Sequence, residues 1–224
     1  MTKGAKAVLA VLLFIVLAAI AYTYAVRPTK APTINTEQQS KQTPTNAGAF
    51  QLSEGTKARF TLEEDLRGKH ITVEGVTSTV NGAFNADRAN LAAATIGEIK
   101  INARTFVTDS EQRNNAIRRF ILKTEDDANE FIVFKVTSIS GLPASADLAQ
   151  ALPFTIIGDL TIAGVTKSVT FTGIMSFESD NKITGKAETT VHYPDFGITV
   201  PDLPFLANVD KDATLFIDFA ATKN

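Results

Sequence analysis

The sequence predicts an all-β domain: a closed antiparallel β-barrel of about eight strands with one amphipathic helix, preceded by an N-terminal transmembrane helix and a linker. Three observations carry this expectation. Beyond residue 50, segment after segment alternates apolar and polar residues with period two; a single segment repeats with helical spacing; and Ala7–Val26 is an unbroken run without charge. The boundaries that follow are 1–26 for the membrane helix, 27–49 for a disordered linker and 50–224 for the barrel.

Ala7–Val26 holds twenty residues between Lys6 and Arg27, enough to cross a hydrocarbon core of about 30 Å as a helix. The alternative is a cleavable signal peptide, which needs an apolar core of only about 7–15 residues and an A-x-A site; Ala19-Ile20-Ala21 supplies one. The full span, with Tyr22 and Tyr24 at the depth of an interfacial aromatic belt, favours a retained anchor. Flanking cations, Lys3 and Lys6 against Arg27 and Lys30, barely orient it. Arg27 to Ala49 is rich in Pro, Thr, Gln and Asn and poor in large apolar residues, so burial cannot offset its ordering entropy. Charge divides at the same place: residues 1–46 hold five Lys or Arg against one Asp or Glu, and the remainder seventeen against twenty-three. A net-acidic domain without a basic tract argues against nucleic acid as a partner. With no cysteine in the chain, a disulfide framework, thiolate chemistry and lipoprotein-type acylation are excluded.

Within the domain, Lys57–Leu62 alternates Ala58, Phe60 and Leu62 with polar residues, and Gly68-Lys69 suits a hairpin loop. Ile71 and Val73 continue a strand that is expected to bulge near Gly75. Val80–Asn85 follows, then Ile99, Ile101 and Ala103 on one strand face. Thr108–Leu122 reads as the helix: Thr108 and Glu111 have capping-box spacing, and Ile117, Phe120 and Ile121 share a face. Apart from Lys135 and Thr137, Phe131–Ile139 is apolar on both faces and is expected to be covered on both sides. Ile183 to Tyr193 and Ala213 to Phe219 complete the set.

The longest alternation is Phe154–Phe177, one hairpin whose two apolar faces turn to the same side, with the turn supplied by Ala163-Gly164-Val165-Thr166-Lys167. Gly158, Leu160, Thr161, Ile162, Gly164, Val165, Thr166, Lys167, Val169 and Phe171 match ten positions in a stretch of fourteen. That run closely resembles the G-x-L-T-I-x-G-V-T-K-x-V-x-F signature of the YceI-like family. Asp195-Phe196-Gly197-Ile198 and Gly82-Ala83-Phe84 extend the resemblance, which covers about Phe50 to the C-terminus. It implies a lipocalin-like barrel, outside the cytoplasm, that binds a polyisoprenoid or another long-chain lipid.

Apolar strand faces are ordinarily core. Gly173, Gly185 and Ala187 interrupt large apolar faces, and small residues inside such a barrel leave room for an elongated ligand. On that reading Gly173→Phe fills a void and leaves the domain folded. The proline-rich stretch Tyr193–Phe205, with Pro194, Pro201 and Pro204, is either a plug over the core or the rim of a ligand mouth. The candidate ligand-lining set is Phe60, Phe84, Ile99, Ile101, Phe120, Phe134, Phe154, Ile156, Leu160, Val169, Phe171, Gly173, Met175, Val191, Phe196 and Phe205. Arg113, Arg118 and Arg119 read as a wetted helix face, with an anionic head group as the alternative partner of one of them.

Catalytic motifs are missing: there is no G-x-S-x-G, no P-loop and no H-E-x-x-H. His70 and His192 are the only histidines and fall on solvent-facing positions, so neither a metal site nor a cofactor other than bound lipid is expected. Glu125-Asp126-Asp127 reads as a solvated turn. The expectation is a single-pass cell-membrane protein whose extracytoplasmic barrel binds a polyisoprenoid or isoprenoid quinone without covalent chemistry. The rivals are a tethered solid-core interaction module with no small ligand and, more weakly, an enzyme acting on the lipid.

Overall fold

The computed structural model describes residues 49–200 and 206–223. The expected anchor, the linker up to residue 48, and Pro201, Leu203, Pro204 and Phe205 lie outside the described residues. Among the described residues no helix is long and apolar enough to cross a membrane.

One 13-stranded antiparallel sheet accounts for the domain. Its strands are β1 (Phe50–Leu52), β2 (Lys57–Leu66), β3 (Lys69–Thr77), β4 (Val80–Asn81), β5 (Ala83–Asn85), β6 (Thr95–Ile96) and β7 (Glu98–Asn102). After the helix α1 (Glu111–Ala116) come β8 (Phe131–Ser140), β9 (Leu152–Ile162), β10 (Val165–Ser179), β11 (Lys182–His192), β12 (Leu206–Ala207) and β13 (Asp212–Lys223). From β7 to β11 each strand pairs with the next, and β11 pairs with β13. The far edge of β13 is shared: Thr214–Asp218 pair with β2, and Ala221–Lys223 with β1. β3 pairs with β2 and runs through Ser78 and Thr79 into β4, which pairs with β7. The sheet is therefore strongly curled around its apolar face.

β9 and β10 are the expected hairpin, and β9 shows why alternation specifies it. Leu152, Phe154, Ile156, Leu160 and Ile162 are buried, while Pro153, Ile157 and Asp159 are exposed. The turn is tighter than expected: only Ala163 (φ 47°) and Gly164 (φ 81°) lie outside the strands, and Val165–Lys167 already pair with β9. Two successive positive-φ residues match the right-handed twist of a hairpin.

Three local expectations are corrected. β3 passes through Gly75 without a register shift; the bulges lie in β8, between Val136 and Ser138, and in β10, between Phe177 and Ser179. β8 is not covered on both sides, since Phe131, Lys135 and Thr137 are exposed. The helix is α-helical only over Glu111–Ala116 and continues as a π-helix over Ile117–Ile121, with Leu122 N donating to the Ile117 carbonyl. The wider π turn keeps Ile117 and Ile121 against the core but swings Phe120 outward, where it is 56% exposed. Its N-cap is Ser110, not Thr108. Thr108 and Glu111 instead meet the buried Asn114, whose Oδ1 accepts from Thr108 Oγ1 at 2.8 Å and whose Nδ2 donates to Glu111 at 3.0 Å.

α1 is tied to β2 by Arg113, whose guanidinium lies 3.1 Å from Glu64, with side-chain exposures of 18% and 9%. Removing one partner of a buried pair strands the other charge without compensation. Arg113→Ala is expected to lower unfolding stability by about 3 kcal/mol in urea denaturation. A loss below about 1 kcal/mol would show that the pair behaves as a surface bridge.

Candidate functional site

The register separates the two ends of the curled sheet. At one end lie the β2–β3 and β9–β10 turns, α1, and the short turn Tyr193–Phe196 that follows β11. At the other lie the connections from β5 to β6, from β8 to β9 and from β10 to β11. The helix end is packed with apolar side chains among the described residues. Ile117, Ile121 and Leu122 pack with Phe134, Leu160, Phe171, Val191, Phe196 and Ile198. Gly197, at φ 67°, lets the chain reverse so that both Phe196 and Ile198 point inward. The described part of the proline-rich stretch is thus a plug and not a rim.

A second cluster fills the loop end: Phe50, Leu91, Ala146, Leu152, Phe177, Ile183 and Ala221. Leu91 and Ala146 come from the connecting loops and close that end, joined by Leu91 N donating to the Ala144 carbonyl at 2.9 Å. Between the two clusters lies an apolar cavity. Its walls are Phe84, Ile99, Phe154, Ile156 and Met175, all in the expected set, together with Leu52, Ile96, Ile139, Leu142, Ala187, Ile217 and Phe219, which are not. Asn85 is the one side chain with a hydrogen-bonding group on these walls, and it donates to Thr95 Oγ1 at 3.3 Å. The cavity measures about 80 Å³.

Phenyl rings shape the walls. Phe154 meets Phe219 at 6.5 Å, Phe219 meets Phe84 at 6.4 Å, and Phe84 stacks on Phe50 at 5.5 Å between centroids. Each of these contacts joins different strands, so no single stretch of sequence announces it. Ile217 and Phe219 share the same alternation as the rest of β13, and Phe219 stands opposite Gly185 in the register. That cross-strand pairing of a large ring with a glycine was the missing signal.

The glycines do not leave space. A Cβ on Gly173 would lie 2.6 Å from the Phe154 ring and 2.8 Å from Ala187 Cβ, and would clash with the Lys186 carbonyl. A Cβ on Gly185 would likewise lie 2.5 Å from the Phe219 ring, one on Gly158 2.7 Å from the Phe134 ring, and one on Gly75 would clash with the Phe60 ring. Each glycine is a seat for a ring on the neighbouring strand. The expectation that Gly173 and Gly185 hollow out the interior is therefore overturned, and with it the expectation that Gly173→Phe stays folded. Ala187 does line the cavity.

The remaining members of the expected set lie elsewhere. Phe134, Leu160, Phe171, Val191 and Phe196 are buried in the cluster of the helix end, with Phe60, Ile101 and Val169 packed against it. Phe120 faces solvent, and Phe205 lies outside the described residues. Arg113, Arg118 and Arg119 are paired with Glu64, Glu111 and Glu125, at the end away from the cavity, so they do not face a ligand there. His70 and His192 are solvent-facing and bonded to Asp65 and Asp212 at 3.0 and 2.7 Å. On the outer surface near the cavity, burial would raise the Glu98 carboxyl, but hydrogen bonds from Lys100 and Lys135 outweigh it and hold it below the usual range.

A UPF0312 protein of Pseudomonas fluorescens is 29% identical over 169 residues, 71% of this chain and 80% of that protein. The fold is similar to that of a polyisoprenoid binding domain from Saccharophagus degradans implicated in plant cell wall breakdown, with a TM-score of 0.63 at 10% identity, covering 80% of this chain and 99% of that one. It is also similar to BcnA of Burkholderia cenocepacia, with a TM-score of 0.57 at 15% identity over 75% and 96% of the two chains. At these identities the two structural likenesses speak for the fold. The YceI-like domain model, by contrast, matches the sequence itself over residues 36–221, signature hairpin included, and the chain belongs to the YceI-like family.

Proposed function

We propose that the protein binds a long-chain apolar lipid, a polyisoprenoid or isoprenoid quinone, without covalent chemistry. The observation that carries this reading is a cavity walled by aliphatic and phenyl side chains, with no charged group on its walls among the described residues. The fold it shares with a polyisoprenoid binding domain supports the same reading. In this reading the curled sheet is a closed barrel of about eight strands, a view supported by the pairing of β4 with β7.

Magnitudes favour a long chain over a short one. At about 0.8 kcal/mol per buried carbon group, one isoprene unit contributes about 4 kcal/mol. Association costs roughly 4–15 kcal/mol, so several units must be buried. The cavity, at about 80 Å³, is smaller than the roughly 150 Å³ apolar cavity that holds a benzene ring. The rings of Phe84, Phe154 and Phe219 must therefore move apart as the chain enters. The same small volume favours, as a second reading, a solid-core interaction module without a ligand. Mass spectrometry of organic extracts of the purified protein separates the two. A long-chain isoprenoid in the extract is expected; no extracted lipid, and none taken up from vesicles, would overturn the lipid reading.

The protein acts as a carrier and not as an enzyme, so His70→Ala and His192→Ala are expected to leave lipid uptake unchanged with the fold intact. Loss of uptake in either would revive the enzyme reading. Ala7–Val26 serves as a retained anchor with the barrel outside the cytoplasm. A flexible linker of about twenty residues spans roughly 25 Å, which keeps the domain beside the membrane that supplies its ligand. The protein is expected to fractionate with membranes and resist salt washing, and a chain beginning at Ala49 to load more slowly from vesicles. A mature N-terminus at Tyr22 would overturn the anchor.

A further inference from the structure

Among the described residues both ends of the apolar interior are packed, with Phe196, Ile117 and Ile121 at one and Leu91 and Ala146 at the other. The side is not. β7 holds β8 only as far as the Glu98–Lys135 pair. Beyond it the two strands diverge for identifiable reasons. The chain turns at Gly97 toward β5, where Gly97 N donates to the Ala83 carbonyl at 2.9 Å. β8 bulges at Thr137, whose hydroxyl donates to the Ile157 carbonyl on β9 at 3.0 Å. Among the described residues no strand pairs with the other edge of Val136–Ser140.

A groove of about 330 Å³ occupies the gap between β6 and the second half of β8. It adjoins the cavity: Ala94, Ile96, Ile139 and Leu142 line both. Its outer side is of different chemistry. Thr95, Thr137, Ser138 and Ser140 are exposed there, and among the described residues no charged side chain lines it. Lys100 and Lys135, on the adjoining β7 and β8, are both engaged by Glu98 at 3.1 and 3.3 Å.

We propose that this seam is the entrance to the cavity. The apolar chain of the lipid passes between β6 and β8, and an uncharged hydrogen-bonding head group, a hydroxyl or a carbonyl, stays in the groove. There it meets the four hydroxyls and the unpaired backbone edge of β8. An anionic head group would find no free cation in the groove to offset its desolvation. The inference rests on the lipid-binding reading above, and its test keeps the two apart.

The full-length protein is compared with Ser138→Val/Ser140→Val for binding of geranylgeraniol and of squalene, an isoprenoid hydrocarbon with no head group. The variant is expected to bind geranylgeraniol about three- to tenfold more weakly and squalene equally well. Equal weakening for both, or no weakening, would overturn the head-group assignment, as would tighter binding of geranylgeranyl diphosphate than of geranylgeraniol by the native protein. The chain has no cysteine, so Thr95→Cys/Ser138→Cys can be bridged across the seam by a bis-maleimide. Bridging is expected to abolish uptake of geranylgeraniol from phosphatidylcholine vesicles, while the same variant capped by a mono-maleimide loads normally. Undiminished uptake by the bridged protein would overturn the entrance. A native protein that binds neither squalene nor geranylgeraniol would instead defeat the lipid-binding reading itself.

Discussion

Gly173→Phe is expected to yield no folded domain, and Gly173→Ala to cost about 1–3 kcal/mol through overpacking alone. Gly173 stands opposite Phe154 in the β9–β10 register, and the Phe154 ring lies over it. The added atom would also meet the Lys186 carbonyl on β11, and a backbone group cannot rotate away as a side-chain tip can. Phe154 in turn walls the cavity and contacts Phe219, so the damage spreads to the site as well as to the sheet. Far-ultraviolet circular dichroism and urea denaturation of the two variants check this. A folded Gly173→Phe domain with native stability would show that Phe154 vacates its seat freely and that the interior is far looser than the packing indicates.

Phe50→Ala is expected to destabilise the domain by about 3–5 kcal/mol, the range for deleting a buried phenyl side chain. Phe50 is 1% exposed, stacks on Phe84 and meets Phe177 edge-on at 6.2 Å. It also anchors β1, a strand of three residues held between β13 and β5. Loss of the ring removes the support behind Leu52 and Phe84, both of which wall the cavity. Urea denaturation reads the stability loss, and binding of a fluorescent apolar probe reads the change at the site. A loss below about 1 kcal/mol would mean that β1 contributes little and that the cavity does not depend on it.

The elements legible in the sequence are those whose pattern is local. Alternation over Leu152–Ser179 specifies two strands because each side chain's face depends only on its parity. Gly164 marks the turn because glycine accepts positive φ without penalty, whereas the tight two-residue form, with Ala163 also at positive φ, is set by the pairing of β9 with β10. The ten signature residues lie in one contiguous stretch, which is why the family could be named from them. Ile117 and Ile121 marked a helix at the right place, but the change to π geometry that turns Phe120 outward depends on how the segment docks.

What the tertiary structure decided depends on residues distant in the chain. β1 is too short to show alternation, and it is a strand only because Lys223 and Phe84 flank Phe50. Gly173 and Gly185 look like missing volume when each strand is read alone. The rings of Phe154 and Phe219 on the adjacent strands occupy that volume, since space inside a sheet is shared between paired strands. The cavity lies where seats and rings do not match, among Phe84, Ile99, Ile139, Met175 and Ile217, which come from five separate strands. The sequence alone determined that the long strands each carry a greasy face. Where they fail to fill the interior is set by register and strand curvature, which long-range pairing fixes and local periodicity does not record.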